Sequence, residues 1–108
     1  MLDKTNFDDV MNIAKEYAIK VKDELDPSAL IYLFGSVVYG DVHRRSDIDI
    51  AVVSQAFTND VVENYTMANR LAIRLSMDME VQAIPFEDWQ SSTPLIEEVR
   101  NRGVLIEV

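Results

Sequence analysis

The decisive stretch of this sequence reads FGSVVYGDVHRRSDIDIAVV and covers residues 34–53. In it an apolar run ends in Gly35-Ser36, and ten residues later a second apolar run begins with Asp47 and Asp49. Side chains two residues apart on a strand point to the same face, with their Cα atoms about 6–7 Å apart. The pattern therefore predicts two carboxylates side by side, next to the loop that Gly35-Ser36 begins.

These residue types together favour one kind of chemistry. Two carboxylates on one face repel each other unless a cation lies between them, and a hard, oxygen-binding ion such as Mg²⁺ suits them. Gly35 allows close approach to the backbone, and the Ser36 hydroxyl adds a donor to the N–H groups of a helix start that can bind an anion. A phosphate cradle beside a metal-binding carboxylate pair predicts a phosphoryl- or nucleotidyl-transfer site.

The composition limits the classes of protein to consider. A length of 108 residues predicts a single domain over residues 1–108. The sequence contains no cysteine, so a disulfide framework and a thiolate metal site are excluded. A net charge of −9 argues against direct nucleic-acid binding, which needs a cationic face. Neither a membrane span nor a signal pattern is evident, so we expect a soluble, cytoplasmic protein.

The periodicity of apolar residues predicts an α/β (α+β) fold with a mixed sheet of about four strands packed with helices. The expected helices cover residues 1–26, 36–40, 60–77 and 94–101, and the expected strands cover residues 29–34, 48–53, 78–84 and 104–108. Strands 29–34 and 78–84 are expected to be central, although Asp78, Glu80 and Gln82 make one face of the latter polar. The inner stripe expected for helix 60–77 consists of Val61, Tyr65, Ala68, Leu71, Ala72 and Leu75.

The spacing of Gly35-Ser36 and Asp47-x-Asp49 resembles the signature of the minimal nucleotidyltransferases of the DNA polymerase β superfamily. The resemblance extends over nearly the whole chain, because residues 94–105 resemble that family's closing helix and strand. It implies that Gly35 and Ser36 hold the phosphates of ATP and that Asp47 and Asp49 bind Mg²⁺, with two ions expected. It also implies a third carboxylate from a neighbouring strand, for which Glu80 is the candidate.

Two features of the resemblance leave alternatives open. Asp78 shares the expected face of Glu80 and is the rival for the third carboxylate. Many relatives carry an arginine just before the second glycine, where this chain has Tyr39. Either Arg44 or Arg45 replaces that contact to the triphosphate, or triphosphate binding is weaker than usual. The alternative role for the two arginines is that of a solvated loop.

The resemblance implies a nucleotidyltransferase that moves a nucleoside monophosphate, expected to be AMP from ATP, onto a hydroxyl. Because 108 residues leave no room for a second domain, the acceptor is expected to lie on another polypeptide. The resemblance implies a small helical HEPN-type protein as that partner, with this chain as its antitoxin. The alternative is a non-catalytic module that neutralises its partner by contact. The nucleobase, the acceptor and a possible oligomer are left open by the sequence.

Overall fold

The computed structural model describes residues 7–35, 48–76 and 78–108. The helices and strands, in chain order, are α1 (Phe7–Glu24), β1 (Leu30–Phe34), β2 (Ile48–Ser54), α2 (Val61–Ile73), β3 (Met79–Pro85), a 3₁₀ helix (Phe86–Gln90), α3 (Pro94–Arg102) and β4 (Val104–Leu105). The helix expected over residues 36–40 lies outside the described residues. The other expected elements are present, with α2 ending earlier and β4 shorter than the apolar pattern predicts.

The four strands form one mixed sheet in the order β3-β2-β1-β4. β2 runs parallel to β3, whereas β1 is antiparallel to both β2 and β4. The prediction of a four-stranded mixed sheet is therefore confirmed, as is the central position of β1. β3 is an edge strand of the sheet, which corrects the expectation that it is central.

Each face of the sheet has its own apolar cluster. The larger cluster joins α1 and α2 to the sheet face formed by Ile31, Leu33, Ile48, Ile50, Val52, Met79 and Val81. The smaller one packs Ile96 and Val99 of α3 against the opposite face, formed by Phe34, Ala51, Val53 and Ile84. β2 lies between the two clusters, and all seven of its residues are buried. Burial on both faces explains why the sequence of β2 is almost continuously apolar. Asp49, the one carboxylate in β2, is therefore an unusual residue for this strand.

Helix α2 begins where the sequence indicates, but it presents a different face to the core. The Asp60 carboxylate accepts a hydrogen bond from the Glu63 N–H at 3.0 Å and caps the helix. The expected inner positions Val61 and Tyr65 are exposed, and Asn64 is buried instead. Asn64 accepts a hydrogen bond from the Thr58 N–H and donates one to the Thr58 carbonyl, at 2.9 and 2.7 Å. The need to satisfy these backbone groups accounts for the rotation of the helix.

Two polar contacts tie the helices to the rest of the fold. The buried Tyr17 hydroxyl of α1 donates a hydrogen bond to the Ala68 carbonyl of α2 at 2.8 Å, and burial raises the pKa of Tyr17. Asp26, after α1, accepts hydrogen bonds from Ser54 at the end of β2, from the Gln55 N–H and from Ser28. Burial by itself would raise the pKa of Asp26, but these hydrogen bonds outweigh it and hold that pKa below its usual value.

The helices within the described ranges include none that is long and apolar enough to cross a membrane.

Candidate active site

Two carboxylates lie next to each other at one end of the sheet. The strand register aligns Phe34 of β1 with Asp49 of β2, and Asp49 with Glu80 of β3. Aligned residues on neighbouring strands share a face and lie about 5 Å apart. Asp49 is only 7% exposed, whereas Glu80 is exposed. The site therefore has one carboxylate at its base and a second at its rim.

The neighbouring part of the same sheet face is packed under α3. The smaller apolar cluster there includes Phe34, Ala51, Val53 and Ile84. α3 packs there because Thr93 caps its start by accepting a hydrogen bond from the Ile96 N–H, and because Gly103 ends it. The two carboxylates thus lie at the border of a packed apolar surface, where a ligand can reach Glu80 from solvent.

Gly35 gives the Asp49 carboxylate the space that it occupies. Its φ of +82° is in the region that favours glycine. A Cβ added at Gly35 would collide with the Asp49 carboxylate, lying 2.8 Å from its Cγ and 3.0 Å from its Cβ. The sequence predicts close approach at Gly35, but it does not reveal that the approaching group is Asp49. Only the pairing of Phe34 with Asp49 makes that contact apparent.

The structure separates the two candidates for a third carboxylate. Glu80 lies inside β3, directly opposite Asp49, and its carboxylate accepts a hydrogen bond from the Gln82 side chain at 3.4 Å. Asp78 lies in the turn before β3, where its N–H donates to the Ser76 hydroxyl and its carbonyl accepts a hydrogen bond from the Ile48 N–H. Glu80 is therefore the one placed in register with Asp49.

The remaining predicted site residues, Ser36, Arg44, Arg45 and Asp47, lie outside the described residues, as does Tyr39. Residues 7–35, 48–76 and 78–108 contain no group of three acidic, histidine or cysteine side chains that could hold a metal ion. They do bring together two carboxylates, and a pair of carboxylate oxygens is the donor type that Mg²⁺ prefers. By donor chemistry, the described part of the site fits a hard divalent cation.

The mixed sheet, with Asp49 and Glu80 aligned beside the Gly35 turn, agrees with the predicted nucleotidyltransferase resemblance, and the family comparison agrees with it too. The nucleotidyltransferase domain family matches residues 14–106. The chain belongs to this family, and the predicted resemblance is confirmed at that level.

Among curated proteins, the chain is similar to the protein adenylyltransferase MntA of Shewanella oneidensis. The two are 37% identical over 83 residues, which cover 77% of this chain and 56% of MntA. The chain thus spans little more than half the length of that relative.

The chain is also similar to several solved structures. A variant of the MntA-HpeT toxin-antitoxin is 35% identical, with a TM-score of 0.58, and the match covers 86% of this chain and 72% of that one. A toxin-antitoxin structure with AMP-PNP is 34% identical, with the same TM-score and the same coverage of both chains. A Sulfolobus solfataricus protein assigned as a nucleotidyltransferase is 19% identical, with a TM-score of 0.68, and the match covers 97% of this chain and 87% of that one. At that identity the likeness concerns the fold alone.

Proposed function

We propose that this chain is a metal-dependent nucleotidyltransferase that moves AMP from ATP onto a hydroxyl of a partner protein. The observation that carries the proposal is the alignment of Asp49 with Glu80 beside the Gly35 turn. Membership of the nucleotidyltransferase family supports the reaction class. The similarity to a protein adenylyltransferase supports a protein acceptor, and the similarity to a structure with AMP-PNP supports an adenine nucleotide.

The proposed roles follow the chemistry of each side chain. Asp47, Asp49 and Glu80 would hold Mg²⁺, with two ions expected, while Gly35 and Ser36 would contact the phosphates. Bound Mg²⁺ supplies positive charge for the phosphate oxygens as pyrophosphate leaves. The buried position of Asp49 gives it a well-defined orientation, and Gly35 permits that position by having no side chain. Glu80, at the rim, is the carboxylate that an incoming acceptor can reach.

In the proposed reaction the acceptor hydroxyl oxygen forms a bond to the α-phosphorus of ATP. The bond from that phosphorus to the oxygen bridging to the β-phosphate breaks, and the bond's electrons leave with pyrophosphate. The hydroxyl proton passes to the Glu80 carboxylate, which acts as the general base. The products are an AMP ester of the acceptor and pyrophosphate.

We propose that Arg44 or Arg45 contacts the β- or γ-phosphate and so stands in for the arginine that many relatives carry where this chain has Tyr39. One of the two alanine substitutions should then weaken ATP binding far more than AMP binding. A charge-assisted hydrogen bond is worth about 1.5–3 kcal/mol, so the loss in ATP affinity should be at least tenfold. Calorimetry with both nucleotides measures it, and equal effects on ATP and AMP would assign these arginines to another role.

The partner is proposed to be a HEPN-type toxin for which this chain is the antitoxin, both in the cytoplasm, where ATP is available. The similarity to toxin-antitoxin structures supports this pairing. The test begins with purifying the tagged chain from its native host and identifying the co-purifying protein by mass spectrometry. With Mg²⁺ and ATP labelled on the α-phosphate, we expect that protein to gain label. EDTA or the Asp49→Asn substitution should prevent this gain. Labelling that persists under both conditions would refute the proposed site.

A second candidate is an antitoxin that neutralises its partner by contact alone. Tyr39 favours it, because a missing arginine weakens the expected triphosphate contact. The Asp49→Asn variant separates the two candidates when it is co-expressed with the toxin. Loss of protection indicates chemical modification, and protection equal to the wild type indicates neutralisation by contact.

A further inference from the structure

Gln82 lies on the same face of β3 as Glu80, and the proposed reaction leaves it without a role. The strand register aligns Gln82 with Ala51 of β2, one row along the sheet face from Asp49 and Glu80. The next residue of β3 on that face, Ile84, belongs to the smaller apolar cluster. An apolar side chain at position 82 would extend that cluster and would suit a half-buried strand position. A half-buried glutamine there needs a polar partner instead.

The polar partner of Gln82 is the Glu80 carboxylate. The Gln82 Nε2 donates a hydrogen bond to the Glu80 Oε1 at 3.4 Å. An ionised carboxylate can only accept, so the end of the amide that faces it must be the donor end. The bond is longer than the usual length of about 2.9–3.0 Å, so it favours one orientation of the carboxylate without locking it. Ala51, beside Gln82 in the sheet, has only a methyl group and leaves the amide room to lie along the strand.

The backbone between Glu80 and Gln82 is held from both sides. On one side both residues pair with β2. On the other side the Val81 N–H donates a hydrogen bond to the Asn69 side chain at 3.3 Å, and the Val81 carbonyl accepts one from the same side chain at 3.2 Å. The freedom that remains to Glu80 is therefore rotation about its side-chain bonds. Because Glu80 is exposed, solvent alone would allow it several rotamers.

We propose that Gln82 is a positioning residue, which orients the Glu80 carboxylate for the acceptor hydroxyl. This inference rests on the proposed function, in which Glu80 takes the proton of that hydroxyl. Asp49 and Glu80 are aligned on neighbouring strands, with their Cα atoms about 5 Å apart, and like charges so close repel each other. The Gln82 amide offers the Glu80 carboxylate a donor on the same face of the sheet. It thereby opposes rotation of Glu80 away from the site.

The kinetic test uses Gln82→Met, which keeps an unbranched side chain of similar length and removes the donor. Gln90→Met is the matched control, because it makes the same change at an exposed position beyond the other end of β3. Circular dichroism checks that both variants fold. The substrates are ATP with Mg²⁺ and the protein that co-purifies with the wild type. We expect Gln82→Met to lower the single-turnover rate of AMP transfer about three- to tenfold, with Kd for both substrates unchanged. Gln90→Met should change neither the rate nor the Kd values.

Nuclear magnetic resonance tests the contact without relying on activity. The Gln82 side-chain amide signal is identified by its loss in Gln82→Met, and a nuclear Overhauser effect should join it to the γ-protons of Glu80. Glu80→Ala should shift this signal, whereas Asp78→Asn, two residues farther along the chain, should not. The contact in a wild type that transfers no AMP supports the pairing of Gln82 with Glu80 and refutes only the proposed reaction. Absence of the Overhauser effect overturns the inference, as does transfer by Gln82→Met at the wild-type rate.

Discussion

Replacing Gly35 with alanine should destabilise the protein although it adds only one methyl group. An L-residue at the positive φ of Gly35 costs about 1–2 kcal/mol. The new Cβ would also collide with the Asp49 carboxylate and lie 2.8 Å from its Cγ. Forcing an extra carbon into a packed site typically costs about 1–3 kcal/mol. The expected loss in the free energy of unfolding is therefore about 2–5 kcal/mol in all.

Urea unfolding measures this loss, followed by circular dichroism and by the fluorescence of Trp89. That ring reports on folding because it packs 5.4 Å from the ring of Tyr32. A double-mutant cycle with Asp49→Ala separates the backbone strain from the collision, because this substitution removes Cγ and both carboxylate oxygens of residue 49. In the Asp49→Ala background the cost of Gly35→Ala should fall to about 1–2 kcal/mol, which is the backbone strain. A small repulsion remains, because the added Cβ lies 3.0 Å from the Cβ of residue 49.

Equal costs in the two backgrounds would refute the claim that Gly35 makes room for the carboxylate. A loss below about 0.5 kcal/mol, the range of ordinary surface substitutions, would refute the strain argument as well. The same variant should weaken Mg²⁺-dependent ATP binding, because the carboxylate must move to admit the methyl group. Calorimetry in buffer without urea, where circular dichroism shows the variant to be folded, measures this ATP binding.

Three further predictions concern other groups. Glu80→Gln should abolish transfer while Mg²⁺-dependent ATP binding largely survives, because a proton acceptor matters most in the transition state. Asp78→Asn should remain active. The opposite pattern of activity would assign the third carboxylate to Asp78. The hydrogen bonds to Asp26 keep its pKa below the usual value of 3.8 despite partial burial, so its stabilising effect is present above about pH 4 and disappears as the pH falls through the folded pKa. The stability difference between wild type and Asp26→Asn, from urea unfolding at pH 7 and pH 3, should accordingly shrink in acid. Tyr17→Phe should cost about 0.5–1.5 kcal/mol by removing the hydrogen bond that joins α1 to the Ala68 carbonyl of α2, whereas Tyr65→Phe, at an exposed position, should cost almost nothing in the same assay.

Local features of the sequence were sufficient for most of the secondary structure. Asp60, Thr93 and Gly103 mark helix ends in the structure as the residue types predict. The apolar runs predict β1 and β2 nearly to the residue, because a strand buried on both faces needs apolar side chains on both. The prediction that Glu80 and Gln82 share a polar face also agrees with the structure, because that pattern depends only on the alternation of a strand.

The errors occur where one element meets another. The apolar pattern of α2 is wider than its buried face, so periodicity alone included Val61 and Tyr65 in the core. The structure buries Asn64 instead, because backbone groups of the preceding loop need its side chain. The position of β3 at the sheet edge was also missed, since strand order depends on pairing between distant segments rather than on local composition.

For the site, the sequence by itself determined that this is a nucleotidyltransferase-type chain, because a Gly-Ser turn and an Asp-x-Asp strand at this spacing are local features that resemble one family. The catalytic and metal-binding roles of the individual residues remain predictions. Only the tertiary structure decided that Asp49 lies opposite Glu80 and against Gly35. The physical reason is that alternation selects the face a side chain points to, while the register of two strands depends on the packing of the whole sheet between its helices.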